Sequence, residues 1–208
     1  MSATGMLRNV SDTFIEGQFR ILWCGVPPRQ ICRSVLARSM QTCMVLTERL
    51  DVRLPVEADR LRFVELFQDP VFMEFSAGVH DLASANARFD MMLQTAERVP
   101  FAKQPIIERS SGEIVGYSGA AWFEFEGAPR LEFGYRLVPS ARGQGYASEA
   151  GLAVLAVAAD SFRGELLALI DPRNVASKGV IGKLGFEFWK IGEIDDGYRV
   201  EVYGRAFS

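Results

Sequence analysis

Arg142-Gly143-Gln144-Gly145-Tyr146-Ala147 is the stretch of this 208-residue chain best equipped for chemistry. It precedes an apolar run, Ala150 to Ala159, whose composition calls for a helix buried on most sides. The first N–H groups of such a helix lack intrahelical acceptors and point back into the loop. Two glycines let the backbone approach a ligand with no Cβ in the way. With the positive end of the helix dipole and Arg142 nearby, the loop reads as an anion site suited to a phosphate or pyrophosphate. A tight strand-to-helix turn that needs glycine is the plainer alternative, and Gly-x-Gly alone does not choose between them.

Several familiar chemistries do not fit. A P-loop requires Gly-Lys-Ser or Gly-Lys-Thr, whereas Gly182-Lys183 runs into Leu184. A dinucleotide fingerprint needs a third glycine where Ser148 stands, and Pro139-Ser140-Ala141-Arg142 separate the strand from the first glycine. Asp171 could imitate its ribose-binding acid, but the unit normally opens a domain, and here much α and β pattern precedes it. The one histidine, His80, has no nucleophile motif beside it, and a multi-histidine metal site is impossible. Cys24, Cys32 and Cys43 match no zinc spacing or disulfide framework, and no thiol follows Met44. A net charge of −3 argues against a nucleic-acid partner. The longest apolar stretch, Gly151 to Ala159, is too short to span a bilayer, so a cytoplasmic protein with no membrane partner and no metal is expected.

The elements that must position the loop follow from periodicity. Leu46–Leu54 reads as a strand ended by Pro55, and Glu57–Gln68 as a helix with Leu61, Val64 and Phe67 inward. Asp81 starts a second helix whose core stripe is Phe89, Met92, Leu93 and Ala96. Strands are expected at Phe101–Arg109, Ile114–Phe125 and Leu131–Val138, then a helix at Tyr146–Ser161. Leu166–Ile170 is the next strand, Asn174–Leu184 the next helix, and Phe186–Ile191 and Arg199–Phe207 close the chain around an Asp196-Gly197 turn. The order is βααβββαβαββ, an α/β domain with a mixed sheet.

Residues 1–43 stand apart. Five arginines against Asp12 and Glu16 give them a local +3, so the remainder carries −6 of the overall −3. Pro27-Pro28, scattered serines and weak periodicity mark an N-terminal extension outside the 44–208 domain. It reads either as a disordered arm or as the product of an upstream in-frame start, with Met44 the true initiator. It has neither the h-region of a secretory signal nor a clear amphipathic stripe.

Glu132-Phe133-Gly134-Tyr135-Arg136-Leu137-Val138-Pro139 followed by Arg142-Gly143-Gln144-Gly145-Tyr146-Ala147-Ser148-Glu149-Ala150 resembles the acetyl-coenzyme A signature of the GNAT N-acetyltransferases. Asp171-Pro172-Arg173-Asn174-Val175-Ala176-Ser177 and Lys183-Leu184-Gly185-Phe186 are similar to that family's later motif. Leu46-Thr47-Glu48-Arg49-Leu50 with Arg53 and Asp59 resembles the opening of its RimJ/RimL-like branch, whose chains commonly begin just before this motif. The resemblance spans Met44 to Phe207, and the element order equals that of the GNAT acyl-CoA N-acyltransferase fold, with its splayed central strands in a mixed, mostly antiparallel sheet.

The resemblance implies acetyl-CoA as cosubstrate, lying where Leu131–Val138 and Leu166–Ile170 part. The pantetheine arm would pair with the edge at Tyr135, Arg136 and Leu137, a short strand addition. The pyrophosphate would sit on the amides of Arg142, Gly143, Gln144, Gly145, Tyr146 and Ala147, with Glu149 turned away from it and stabilising the helix start. The reaction implied is direct attack of a primary amine on the thioester in a ternary complex. A free amine has a pKa near 8 or above 10, so a base must take a proton. Glu132, sharing a strand face with Gly134 and Arg136, is the first candidate, ahead of Glu124 and Glu126. Many relatives carry a tyrosine proton donor where Ile181 stands, which leaves Ser177 to protonate the thiolate. Asn174 is either a cofactor contact or the cap of its helix. The acceptor site maps onto Phe67–His80 and Asp195–Tyr198, without a decodable motif. The −6 charge mildly favours a cationic amine, on a protein N-terminus or a small molecule. A contrasting reading, prompted by the missing tyrosine, is a non-catalytic acyl-CoA-binding sensor or interaction module. Monomer and homodimer are both compatible with the sequence.

Overall fold

The computed structural model describes residues 44–76, 78–194 and 197–208. The proposed extension at 1–43 and Asp196 of the last turn lie outside the described residues. The elements are β1 (Met44–Leu46), β2 (Leu50–Arg53), α1 (Arg60–Gln68), α2 (Leu82–Ala96), β3 (Gln104–Glu108), β4 (Ile114–Phe125), β5 (Ala128–Leu137), α3 (Tyr146–Ser161), β6 (Gly164–Ile170), α4 (Val175–Lys183), β7 (Glu187–Ile194) and β8 (Tyr198–Phe207). One eight-stranded sheet runs β1-β2-β3-β4-β5-β6-β8-β7. Every neighbour pair is antiparallel except β5–β6. This is a mixed, mostly antiparallel α/β sheet, as the element order and the motif resemblance led one to expect.

Two expectations are corrected. The strand at Leu46–Leu54 is two strands, because the Thr47 amide donates to the Leu50 carbonyl at 2.9 Å and the Thr47 hydroxyl accepts from the Leu50 amide at 3.0 Å. A residue whose backbone and side chain serve both groups of the residue three positions on folds a turn in place of extended chain. In α1 the buried residues are Phe63, Val64, Leu66 and Phe67, while Leu61 is 74% exposed. A short 3-10 turn at Glu57–Asp59 precedes the helix, and the core arc is centred near Phe67, which leaves Leu61 outside it. Arg53 makes paired 2.7 Å contacts to the buried Asp59 carboxylate, tying β2 to the start of this helix.

Alternation on β5 sorts its two faces. Leu131, Phe133 and Leu137 enter the main core with Ala150, Val154, Leu155 and Ala158 of α3. Glu132, Gly134 and Arg136 lie on the opposite face, as period-2 geometry requires. There Tyr117 of β4, directly paired with Arg136, meets Phe63, Phe67, Phe72 and Phe89 beneath α1 and α2. Helix α3 is apolar nearly all round and mostly buried, although Leu152 is solvent-exposed.

Candidate active site

Strands β5 and β6 share only two register pairs, Leu131 with Leu166 and Glu132 with Leu167. From Phe133 onward β5 has no strand partner on that side, so its backbone edge is open for an extended ligand. The resulting cleft lies between Phe133–Tyr135 and Ala168–Ile170, and Ser177 and Ile181 of α4 line it. Phe133 is held by stacking on Phe186, with ring centres 5.4 Å apart.

At the head of α3, Gly143 and Gly145 adopt φ of 75° and 84°, left-handed values that an L side chain rarely takes. The turn they make leaves the amides of Gly143, Gln144, Gly145, Tyr146 and Ala147 without an acceptor among the described residues. Arg142 differs from its five neighbours: its amide donates to the Pro139 carbonyl at 3.2 Å, so the free series starts one residue later than expected. Its guanidinium is also engaged, donating to the carbonyls of Leu137 and Val71 and lying 3.4 Å from Glu74. What the turn leaves available to an anion is the helix end and its amides, more than the arginine side chain.

Glu149 faces away from this loop, toward the β1–β2 turn. It accepts from the Thr47 hydroxyl at 2.5 Å, from the Arg49 amide at 3.0 Å and from the Arg49 guanidinium at 2.6 and 2.8 Å. Burial alone raises the Glu149 carboxyl, but Thr47 and Arg49 outweigh it and hold the group below its ordinary pKa. Arg49 also donates to the Gln144 carbonyl at 2.9 Å and lies 4.7 Å above the Tyr146 ring. The Leu-Thr-Glu-Arg-Leu motif therefore acts here as a brace behind the glycine turn at the start of α3. Tyr146 completes the brace through a 2.7 Å bond from its hydroxyl to Glu108.

Glu132 reaches the cleft from the far face of β5. A Cβ on Gly134 would lie 2.6 Å from its Oε1, so the glycine makes room for the carboxylate. Lys103 donates to Glu132 Oε2 at 2.9 Å, and both side chains are largely shielded from water. Glu124 is exposed and Glu126 is paired with Lys190, so neither of the alternative carboxylates enters the cleft. Across the cleft, Ser177 Oγ accepts from the Tyr135 hydroxyl at 3.0 Å. Burial raises the Tyr135 phenol, only partly offset by Ser177, so it stays protonated at neutral pH. Asn174 caps α4, its side chain accepting from the Ser177 amide at 3.1 Å. Asp171 is engaged by Arg173 and by the Tyr198 hydroxyl, which hold its carboxyl well below the usual range against the effect of burial.

The cleft thus gathers Glu132, Tyr135 and Ser177, with the amide loop at the start of α3 following β5 in the chain. Arg136 and Leu137 contribute backbone edge; the Arg136 side chain instead donates to the carbonyls of Phe72 and Phe75 and to the Tyr117 hydroxyl. Sequence reasoning missed Lys103 as the partner of Glu132 and Tyr135 as the partner of Ser177. Both are contacts between residues far apart in the chain, and only strand register would have revealed them.

A sheet parted at its single parallel pair, beside a helix start with unused amides, belongs to enzymes that take acyl groups from a coenzyme A thioester. Comparison with known proteins gives the family. A family model described as an acetyltransferase (GNAT) domain matches residues 49–187. The uncharacterised Bacillus subtilis (strain 168) protein YkkB is 28% identical over 148 residues, 70% of this chain and 86% of its own length. An acetyltransferase from Agrobacterium tumefaciens str. C58 superposes with a TM-score of 0.68 at 24% identity, covering 84% of this chain and 99% of that one. RimL, a ribosomal L7/L12 alpha-N-protein acetyltransferase solved with coenzyme A, superposes at 0.64 with 18% identity, covering 79% and 98%. These structural likenesses speak to the fold. The chain belongs to the GNAT acetyltransferase family and is an acetyl-CoA-dependent N-acetyltransferase.

The residues present fit that cosubstrate. Five consecutive free amides suit a pyrophosphate, and an open strand edge suits the amide-rich pantetheine arm. Among the described residues no cluster of His, Cys, Asp or Glu could hold a metal, and no helix is long and apolar enough to cross a membrane.

Proposed function

We propose that this protein, a member of the RimJ/RimL-like branch, acetylates a primary amine, on a protein N-terminus or a small molecule, by direct attack in a ternary complex. The observation that carries this reading is the opening of β5 from β6 immediately beyond Glu132. Bound acetyl-CoA supplies an electrophilic thioester carbonyl and a thiolate leaving group. Gly143, Gln144, Gly145, Tyr146 and Ala147 hold its pyrophosphate through their amides, with Arg142 fixing the loop. The edge at Tyr135, Arg136 and Leu137 holds the pantetheine arm, and Asn174 keeps α4 in register beside it. Domain residues 44–208 carry all of these groups.

Glu132 takes the proton that the amine must lose. Lys103, donating to its Oε2 at 2.9 Å, holds the side chain in place beside the cleft. Ser177, its oxygen accepting from the Tyr135 hydroxyl, gives a proton to the departing sulfur and regains one from water once the thiol has left, so that Tyr135 stays protonated throughout. This hydroxyl pair fills the role that a helix tyrosine at the Ile181 position would otherwise take. The test is calorimetric titration of the protein with acetyl-CoA, followed by thiol release with a panel of amines. Glu132→Gln is expected to lower turnover by roughly 10²–10⁴-fold and to leave acetyl-CoA affinity in place. Failure of the unaltered protein to bind acetyl-CoA would remove the basis of the proposal.

A further inference from the structure

We infer that the acceptor amine also carries an anionic group, a carboxylate or phosphate a few bonds from the nitrogen, held by Arg88 and Arg136. The inference rests on the acetyl-transfer reading and concerns the face of β4 and β5 that bears Glu132. Tyr117 lies at its centre, among Phe63, Phe67 and Phe72, with ring centres 6.1–6.4 Å away. Three cations converge there from three elements. Arg136 Nε of β5 donates to the Tyr117 hydroxyl at 3.1 Å. Lys103 Nζ, before β3, stands 5.6 Å above the Tyr117 ring. Arg88 of α2, half-buried, lies 5.2 Å above the Phe67 ring.

The charges do not balance. Lys103 is matched by Glu132. The recorded partners of Arg136 are neutral, two backbone carbonyls and a phenol, and Arg88 has no ion-pair partner among the described residues. Two unlike groups register the surplus. Burial raises the Tyr117 phenol, yet Arg136, Lys103 and Arg88 together bring it down to about 8. His80, edge-on to Phe67 at 6.1 Å, is lowered by burial and then by Arg88 and Arg136, against the opposing pull of Asp81. The Asp81 carboxylate is itself spent on Ser84, where it caps α2.

Arg136 already has a structural duty, since it pins the carbonyls of Phe72 and Phe75, but backbone carbonyls do not neutralise a guanidinium. A positive field at the acceptor side of the cleft attracts an anionic substituent and repels a cationic one. This reverses the preference drawn from the −6 charge of the domain. Charges beyond about 8–10 Å are screened at ordinary ionic strength, whereas partly buried ones nearby are not.

The experiment uses the full chain and thiol release from acetyl-CoA with matched acceptors: ethanolamine against phosphoethanolamine, and short peptides beginning with aspartate against the same peptides beginning with lysine. At least about a tenfold higher kcat/KM is expected for the anionic member of a pair. A preference confined to the first pair identifies a small-molecule acceptor, and one confined to the peptides an acidic N-terminus. Arg88→Gln is expected to abolish the preference by raising KM about tenfold for the anionic acceptor, with acetyl-CoA affinity retained. Equal or better turnover of the neutral and cationic members overturns the inference, as does an Arg88→Gln variant that keeps the preference. Acetyl-CoA binding without acetylation of any of these acceptors also overturns it. Loss of acetyl-CoA binding itself strikes instead at the acetyl-transfer reading.

Discussion

Tyr117 shows how far one side chain's chemistry depends on residues distant in the chain. Its phenol is fully enclosed, which by itself opposes ionisation, yet three cations reverse the balance and bring it to about 8. Tyr203 goes the other way: burial, helped by the neighbouring Glu201 carboxylate, pushes it up to about 12. Absorbance titration of the five tyrosines is therefore expected to show one phenol ionising near pH 8, a step that Tyr117→Phe removes. Because its folded pKa lies below the ordinary value near 10, this phenol adds stability as pH rises from about 8 toward 10. A titration in which no tyrosine ionises below pH 9 would contradict the cation cluster. None of this was legible in the sequence, where Tyr117 is one aromatic in an apolar strand and Arg88 one basic residue on a helix. By contrast, the glycine turn before α3 was readable, because two glycines at fixed spacing before an apolar helix are a local signal. Glu132 was readable as well, since alternation along one strand fixes its face; its partner Lys103 was not.

Among the elements, α4 carries an unexplained weakness. Gly179 and Gly182 both face open space, with nothing within 4 Å of where a Cβ would stand, and neither has a positive φ. Alanine at either site removes backbone freedom from the unfolded chain and meets no obstruction. Gly179→Ala and Gly182→Ala are each expected to raise stability by about 0.5–1 kcal/mol in urea unfolding. A decrease would show that the open face is needed for the helix to pack. Element identity was legible wherever periodicity was strong, and α3 begins and ends at the residues expected, Tyr146 and Ser161. It failed where a side chain rewrote the backbone, as Thr47 does by splitting the first strand. It failed also in α1, where a 3-10 turn moves the core arc off Leu61, a shift that apolar spacing alone does not record.

For the whole molecule, the groups assigned to cofactor, proton transfer and acceptor all fall within residues 44–208. Protein beginning at Met44 is accordingly expected to bind acetyl-CoA with the Kd of the full chain in parallel calorimetric titrations. A tenfold or larger loss would assign residues 1–43 a part in the site. Within that domain the segment from Val71 to Phe75 is pinned by arginines from β5 and the turn after it, Arg142 on Val71 and Arg136 on Phe72 and Phe75. The glycine turn before α3 and the segment after α1 are therefore tied together. The seam between β5 and β6 has a consequence for how the molecule is made. Strands β1 to β5 each pair with their chain neighbour, so that half of the sheet can close as soon as it leaves the ribosome. Its partner half, β6 with β8 and β7, shares the core but joins the sheet through two register pairs only, and β6 must wait for β8 to complete its other edge. The wall of the cleft that carries Ser177 is thus synthesised after the wall that carries Glu132. A nascent chain holds Glu132 before it holds Ser177, and the two walls are completed as a pair only once β8 has joined β6.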